Sequence, residues 1–371
     1  MGILVSFPKS GDEDSNYQVN WGNPFGTQIE MRAPFLPSEW YEQSGVQLTW
    51  PHAETDWAHM LKEVQECFTA IAREIAKTEI LLIVAPDTDA VKAQIASRVN
   101  MENVRFFECD TNDTWARDHG GITIVDASAP HLLDFCFNGW GQKFAAGLDN
   151  QITRKAYQAN CFNAEYENHL DFILEGGSIE SDGLGTLLTT STCLLAPNRN
   201  DTLNKTDIEE RLRAMFHVEQ VLWLDHGYLA GDDTDSHVDT LARLCPGDTI
   251  TYVKCTDSED EHYEELSKME EQLRTFCTLK GEPYKLLALP MADSIVENTE
   301  RLPATYANFL ILNKTVLYPT YNQPKNDAKA AEVLAEAFPG REIVGIDCRA
   351  LIKQHGSLHC VTMQYPKGVL R

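Results

Sequence analysis

The sequence predicts a mixed α/β protein, and three observations carry that expectation. Apolar strand-like runs alternate with amphipathic helical stretches from about residue 54 onward, and the alternation returns at a loose interval of about 60 to 80 residues. No low-complexity linker interrupts 32–371, so a single domain is expected over 31–371. A recurring unit of strands plus one helix fits either a closed radial array of α/β units or a mixed open sheet, and periodicity alone does not separate the two.

The elements follow in order. Residues 1–30 combine Gly, Asn, Ser and the acidic run Asp12-Glu13-Asp14 without periodicity, which reads as an N-terminal arm, its order left open. Pro34, Pro37 and Pro51 punctuate an aromatic-rich entry containing Trp40, Tyr41 and Trp50. Over 54–77, Trp57, Leu61, Val64, Phe68, Ile71 and Ile75 fall on one helical stripe, with Thr55 or Asp56 placed to cap it. A solid apolar strand at 80–84, a short helix at 89–98 and a strand at 104–107 come next, then strands at 121–126 and 132–137. Strand-like runs near 170–174, 186–195, 220–224, 248–254, 286–290, 307–312, 315–318, 342–346 and 358–364 alternate with helices near 151–160, 206–215, 261–279 and 327–338.

Bulk composition narrows the class. A chain of 371 residues buries roughly 75% of its unfolded surface and needs no covalent staple. Its ten cysteines contain no CxxC pair and are read as reduced thiols of a cytoplasmic protein. No run of about 18 apolar residues occurs, so no membrane partner is expected. A formal charge of −25 argues against nucleic acid, whose phosphates need a basic face, and would concentrate a small cation. Solubility alone also accounts for that charge. A homo-oligomer stays open.

Four stretches carry candidate chemistry. In 110–121, ten of twelve residues are polar or glycine, which alone describes a solvated loop. Trp115 is costly to leave in such a loop unless it packs or stacks on a cation. Arg117 beside Asp118 can hold the loop through an ion pair elsewhere, freeing Asp118 to face a cleft. Glu175-Gly176-Gly177 follows an apolar strand, and its glycines let the chain bend sharply beneath Glu175. In 231–240, Asp232, Asp233 and Asp235 precede His237 and Asp239, which share a face if that segment is extended. This run lacks the ligand spacing of a calcium loop. A zinc set drawn from His226, His237, His359 and Cys360 lacks paired spacing, and no metal or other cofactor is expected. Finally, Cys360 sits where the polar approach Gln354-His355-Gly356-Ser357 passes into an apolar strand.

Taken together, Trp115-Ala116-Arg117-Asp118, Glu175-Gly176-Gly177, Asp232–Asp239 and the near-terminal Gly356-x-x-His359-Cys360-x-Thr362-x-Gln364 form an ordered set. Phe137-Asn138-Gly139-Trp140-Gly141 and Tyr306-Ala307-Asn308-Phe309 add to it. The set resembles the agmatine deiminase and Porphyromonas-type peptidylarginine deiminase family across about 32–371. The resemblance implies a five-bladed, pseudo-symmetric α/β propeller of the pentein type with its site on the axis. It also implies a cysteine hydrolase of guanidinium groups, with Cys360 as nucleophile and His237 as general acid/base. Asp118 and Asp239 would grip the guanidinium, Glu175 would be the partnering carboxylate, and Trp115 and Asn308 would line the substrate. The acidic motifs favour agmatine over peptidyl or free arginine. A propeller that binds cations without turnover is the alternative of another class. Two departures flank the site: His119-Gly120-Gly121 stands where Thr-Gly-Pro is usual, and His355–His359 where a Gly-Gly-Gly-Asn-Ile-His run is usual.

Overall fold

The computed structural model describes residues 34–371; the arm expected over 1–30 lies outside them. Five sheets repeat one plan. A short strand pairs antiparallel with a longer one, a helix crosses over, and the next strand pairs parallel with the longer one. The second sheet shows it plainly: Ile122–Ile124, His131–Cys136, the helix Ile152–Gln158, and Glu165–Ile173. The third runs Ile179–Ser181, Thr186–Thr190, Lys205–Phe216, Gln220–Leu224. The fourth uses Ala242–Cys245, Thr249–Lys254, Tyr263–Leu273 and Lys285–Pro290. Leu310–Ile311, Thr315–Thr320, Pro324–Ala337 and Glu342–Asp347 make the fifth. The first sheet is closed by the last strand of the chain, Thr362–Pro366, which pairs antiparallel with Gln43–Thr49. Ile80–Ala85 and Val104–Glu108 complete it in parallel. These are the five blades of an α/β propeller, and the closure joins the two ends of the described chain.

Parallel strands under crossover helices are buried on both faces and read as continuous apolar runs, which is why 80–84 and 220–224 were legible. Gln43–Thr49 was not expected, although it is one of the two inner strands of its four-stranded sheet. Its glutamines hide it: Gln47 is buried and takes up the Tyr365 hydroxyl, while Gln43 Nε2 donates to Ile311 O. Gly45 is required there, because a Cβ at that position would lie 2.0 Å from the carbonyl oxygen of Ile80.

The helix expected over 54–77 begins later, at Leu61, and has no side-chain cap. Thr55 instead closes a turn by donating to His52 O, and Trp57 is buried with its Nε1–H on Asp113. Of the expected stripe, Val64, Phe68, Ile71 and Ile75 are buried on the helix, Leu61 is half-buried at its start, and Trp57 lies ahead of it. All ten cysteines are free, and no helix among the described residues is long and apolar enough to cross a membrane.

Candidate active site

The plan of the blades positions the site. In each, the segment entering the short first strand carries one of the residues singled out above. Asp118 lies on the turn Ala116–His119 ahead of Ile122–Ile124, and Glu175 precedes the turn Gly176–Ser178 ahead of Ile179–Ser181. His237 and Asp239 flank the start of Val238–Thr240 ahead of Ala242–Cys245. Asn308 stands two residues before Leu310–Ile311, and Cys360 two before Thr362–Pro366. Five segments far apart in sequence are thereby brought to one place by pseudo-symmetry.

The glycine at 177 reports how tightly they meet. A Cβ there would fall 2.6 Å from His237 Nδ1, 2.9 Å from Asp118 Oδ1 and 3.1 Å from Asp239 Oδ2. Asp118 is held by two donors, the Gly177 N–H at 3.0 Å on Oδ1 and Trp140 Nε1–H at 3.0 Å on Oδ2. His237 Nδ1 stands 3.6 Å from Asp118 Oδ1. Cys360 Sγ stands 4.0 Å from Asp239 Oδ2 and 3.4 Å from Asn308 Oδ1. His237 and Asp239 have no exposed surface, yet both ring nitrogens of His237 and Oδ1 of Asp239 lack a hydrogen-bond partner among the described residues. Buried polar atoms are nearly always paired, so three unpaired ones at one point mark a place built for a ligand.

A cavity reaches Asp118 and Cys360 from outside, lined also by Trp115, Trp140, Phe144 and His355, with Asp56, Asp113 and Asp233 around it; His237 and Asp239 do not line it. Its aromatic wall is continuous: Trp115 packs between Trp57 and Trp140 at 5.7 and 6.3 Å, and Phe144 meets Trp140 edge-on at 5.5 Å. No lysine or arginine lines it. Gly356 makes room for the wall, since a Cβ there would lie 2.1 Å from the Trp115 ring.

Charge is distributed unevenly. Burial, then the neighbouring Asp239 and Glu175, push Asp118 well above the carboxylate range. Burial opposes ionisation of Asp239 too, but the hydrogen bond and charge of His359 hold it below that range. The Cys360 thiol is driven well up by burial and by Asp239 and Asp118. Burial pushes His237 down to about 3, leaving a neutral imidazole. The site holds one standing carboxylate, a second that resists ionising, and a thiol that keeps its proton.

Behind the site, three arginines neutralise the remaining acids. Arg199 grips Glu175 through Nε at 3.1 Å and Asp235 through Nη1 at 2.6 Å. Arg243 pairs with Glu180 and, at 2.5 Å, with Glu39. Arg117 pairs with Glu39 at 3.0 Å and also bonds Gln364, so Arg117 does turn away and leave Asp118 to the cleft. Asp235 and Ser236 are consecutive left-handed residues, held by Arg199 and by Asp232 Oδ2, which accepts from Ser236 N at 2.7 Å. That strained turn delivers His237.

One expectation changes. Asn308 does not line the cavity: its Oδ1 accepts from the backbone N–H groups of His359 and Cys360 at 2.9 and 3.3 Å, so it mounts the thiol segment. Glu175 is fully buried and paired with Arg199, with an oxygen within 4.8 Å of a His237 ring nitrogen. The aspartates of 231–235 are occupied as turn and ion-pair acceptors, and His226 is drawn to Glu265 at 3.4 Å, apart from the other zinc candidates. Two other clusters bring ligand-type atoms together, Glu175–Cys193–His237 and Glu39–Glu180–His359, but an arginine already sits on each. Sequence reasoning missed Glu39, Glu180, Arg199 and Arg243. Arg243 had a readable signal, a lone cation inside Leu241–Cys245, because a charge in an apolar strand must be paired.

Comparison with known proteins agrees with this architecture. The Porphyromonas-type peptidyl-arginine deiminase family matches residues 35–366. An agmatine deiminase from Pseudomonas aeruginosa is 32% identical over 356 residues, covering 89% of this chain and 95% of that protein. The structure of C. jejuni agmatine deiminase with substrate bound superposes with a TM-score of 0.85 at 39% identity, covering 94% of this chain and all of that one. A Porphyromonas gingivalis structure named "Putative Arginine Deiminase" has 51% identity and a TM-score of 0.87, covering 91% of this chain and all of that one.

Proposed function

The chain belongs to the Porphyromonas-type peptidyl-arginine deiminase family of guanidino-group-modifying hydrolases, which includes the agmatine deiminases, and from that premise we propose that it is an agmatine deiminase. It would convert agmatine and water to N-carbamoylputrescine and ammonia. The single observation that carries the substrate choice is the cavity wall: the rings of Trp115, Trp140 and Phe144, four aspartates with Asp118 among them, and no lysine or arginine. A distal ammonium is matched by that wall. An arginine carboxylate would meet only like charge, and the nearby Lys143 is already spent on Asp235 at 2.8 Å and on Asp233 O.

The chemistry follows from the charges. A guanidinium is planar and permanently charged, and paired carboxylates fix its plane. Asp239 supplies a standing anion through its unpartnered Oδ1, and the arriving cation makes ionisation of Asp118 favourable. The same cation stabilises the thiolate of Cys360, whose proton passes to neutral His237. Sulphur attacks the guanidinium carbon, His237 returns the proton to the departing nitrogen, and ammonia leaves an S-linked amidino adduct. Water, deprotonated by His237, then attacks the adduct and releases the ureido product with the thiol restored. Trp115 bounds the substrate, and Glu175 keeps Arg199 and the His237 turn in register.

The test is a comparison of agmatine, free arginine and a C-terminal-arginine peptide, with the ureido product measured by colour reaction. At least about a tenfold preference for agmatine in kcat/KM is expected, the effect of one well-placed charge contact. Preference for either arginine substrate would overturn the substrate assignment and leave a deiminase, as the name carried by the 51%-identical structure suggests for that protein. Tight binding with no turnover would leave a cation-binding propeller.

A further inference from the structure

His359 immediately precedes Cys360 and is fully buried. Its Nδ1 lies 2.7 Å from Asp239 Oδ2, and its Nε2 lies 2.8 and 3.0 Å from the two oxygens of Glu39 and 3.1 Å from Arg243 Nη2. Its backbone N–H is fixed by Asn308. Glu39 itself is anchored from three sides, by Arg117, Arg243 and Gln364 Nε2 at 3.1 Å. Among the described residues, His359 is the one side chain closer than 3 Å to either carboxylate oxygen of Asp239.

We propose that His359 is a positioning residue for the reaction, and that Arg243, donating to Nε2 from the far side of its ring and itself anchored by Glu39, keeps the ring proton on Nδ1. This rests on the deiminase reading above. By donating Nδ1–H to Oδ2, His359 decides which oxygen of Asp239 is committed and which, Oδ1, is left for the guanidinium. A carboxylate free to rotate about its last bond would present either oxygen to the substrate. A ring that donates to Asp239 and is held from behind by Arg243 removes that freedom, as outer hydrogen bonds orient the working ligands of other sites. The charged groups facing His359 are Asp239, Glu39, Arg117 and Arg243, with Glu180 beyond Arg243. The donor also keeps Asp239 anionic beside a thiol, which is where the substrate cation must bind.

Steady-state kinetics on agmatine from pH 5.5 to 9 would test this in the full chain and in His359→Leu and His359→Asn, with folding checked by circular dichroism. Asn places an amide N–H where Nδ1–H stands but cannot reach Arg243. His359→Leu is expected to lose about 100-fold or more in kcat/KM, with KM raised, and His359→Asn to recover about tenfold of that. The acid limb of kcat/KM should move up into the measured range in His359→Leu, because Asp239 loses the donor that opposes the upward push of burial. An unchanged acid limb with kcat/KM within about threefold of the parent would overturn the proposal, as would His359→Asn no better than His359→Leu. If His359→Leu does not fold, the ¹⁵N-histidine spectrum of the parent decides: a proton on Nδ1 across this range supports the role, and its absence overturns it. A parent with no deiminase activity overturns the functional reading, and the proposal with it; an active parent with indifferent variants overturns the proposal alone.

Discussion

Gly177 faces Nδ1 of His237 so closely that its missing Cβ would stand 2.6 Å away. The contact is backbone against ring, and neither can retreat: the Gly177 N–H is committed to Asp118 and His237 follows two left-handed residues. Gly177→Ala should therefore leave the fold intact while displacing His237 or Asp118. A loss of about 100-fold or more in kcat is expected, the scale of misplacing a catalytic group by about 1 Å. Steady-state kinetics with a thermal melt checks it; an active, normally stable variant would refute the arrangement.

The thiol at 360 should be sluggish without substrate. Burial and the two aspartates hold its proton, and neutral His237 offers no positive charge to stabilise a thiolate. Iodoacetamide should label Cys360 slowly at pH 7, faster as pH rises, and at neutral pH faster with a guanidinium ligand small enough to leave the sulphur accessible. Peptide mapping identifies the site against nine other cysteines. Rapid labelling of the free protein at pH 7 would contradict this.

Asp113 lines the cavity, and burial followed by the charge of Asp56 pushes it up to about 6. It is a carboxylate above that pH and neutral below it. If it attracts the distal ammonium, KM for agmatine should climb as pH falls through 6, with a smaller change in kcat. Asp113→Asn should raise KM at pH 8 by about tenfold, as expected of one charge contact, and flatten that limb. The variant's pH profile of KM is the measurement.

Glu79 gives a stability prediction far from the chemistry. It is 3% exposed, accepts the Asn313 N–H through Oε1, leaves Oε2 unpartnered, and is raised by burial to about 7. A carboxyl whose folded value exceeds its unfolded value stabilises fully below the unfolded value, and that contribution is lost as pH rises through the folded one. The loss should thus run from about pH 4.5 to 7 and be complete above it. Glu79→Gln should melt higher than the parent at pH 8.5, by about 2 °C or more, and gain nothing at pH 4.5. Melting curves at the two pH values decide it.

The sequence by itself determined the chemistry and the rhythm. Thiol, imidazole and carboxylates in a fixed order carry reactivity in their side chains, and buried parallel strands and amphipathic helices write their periods directly into the chain. It did not reveal Gln43–Thr49, whose polar residues hide a central strand, nor Glu39, which has no local feature to mark it. Only the tertiary structure decided which groups meet: that Asn308 mounts the thiol segment, that His359 holds Asp239, and that Arg117, Arg199 and Arg243 absorb the surplus acids. The physical reason is that these contacts join residues distant in the chain, most of them from different blades. Local propensity is silent about partners 24 to 320 positions away, and burial makes each such pairing obligatory.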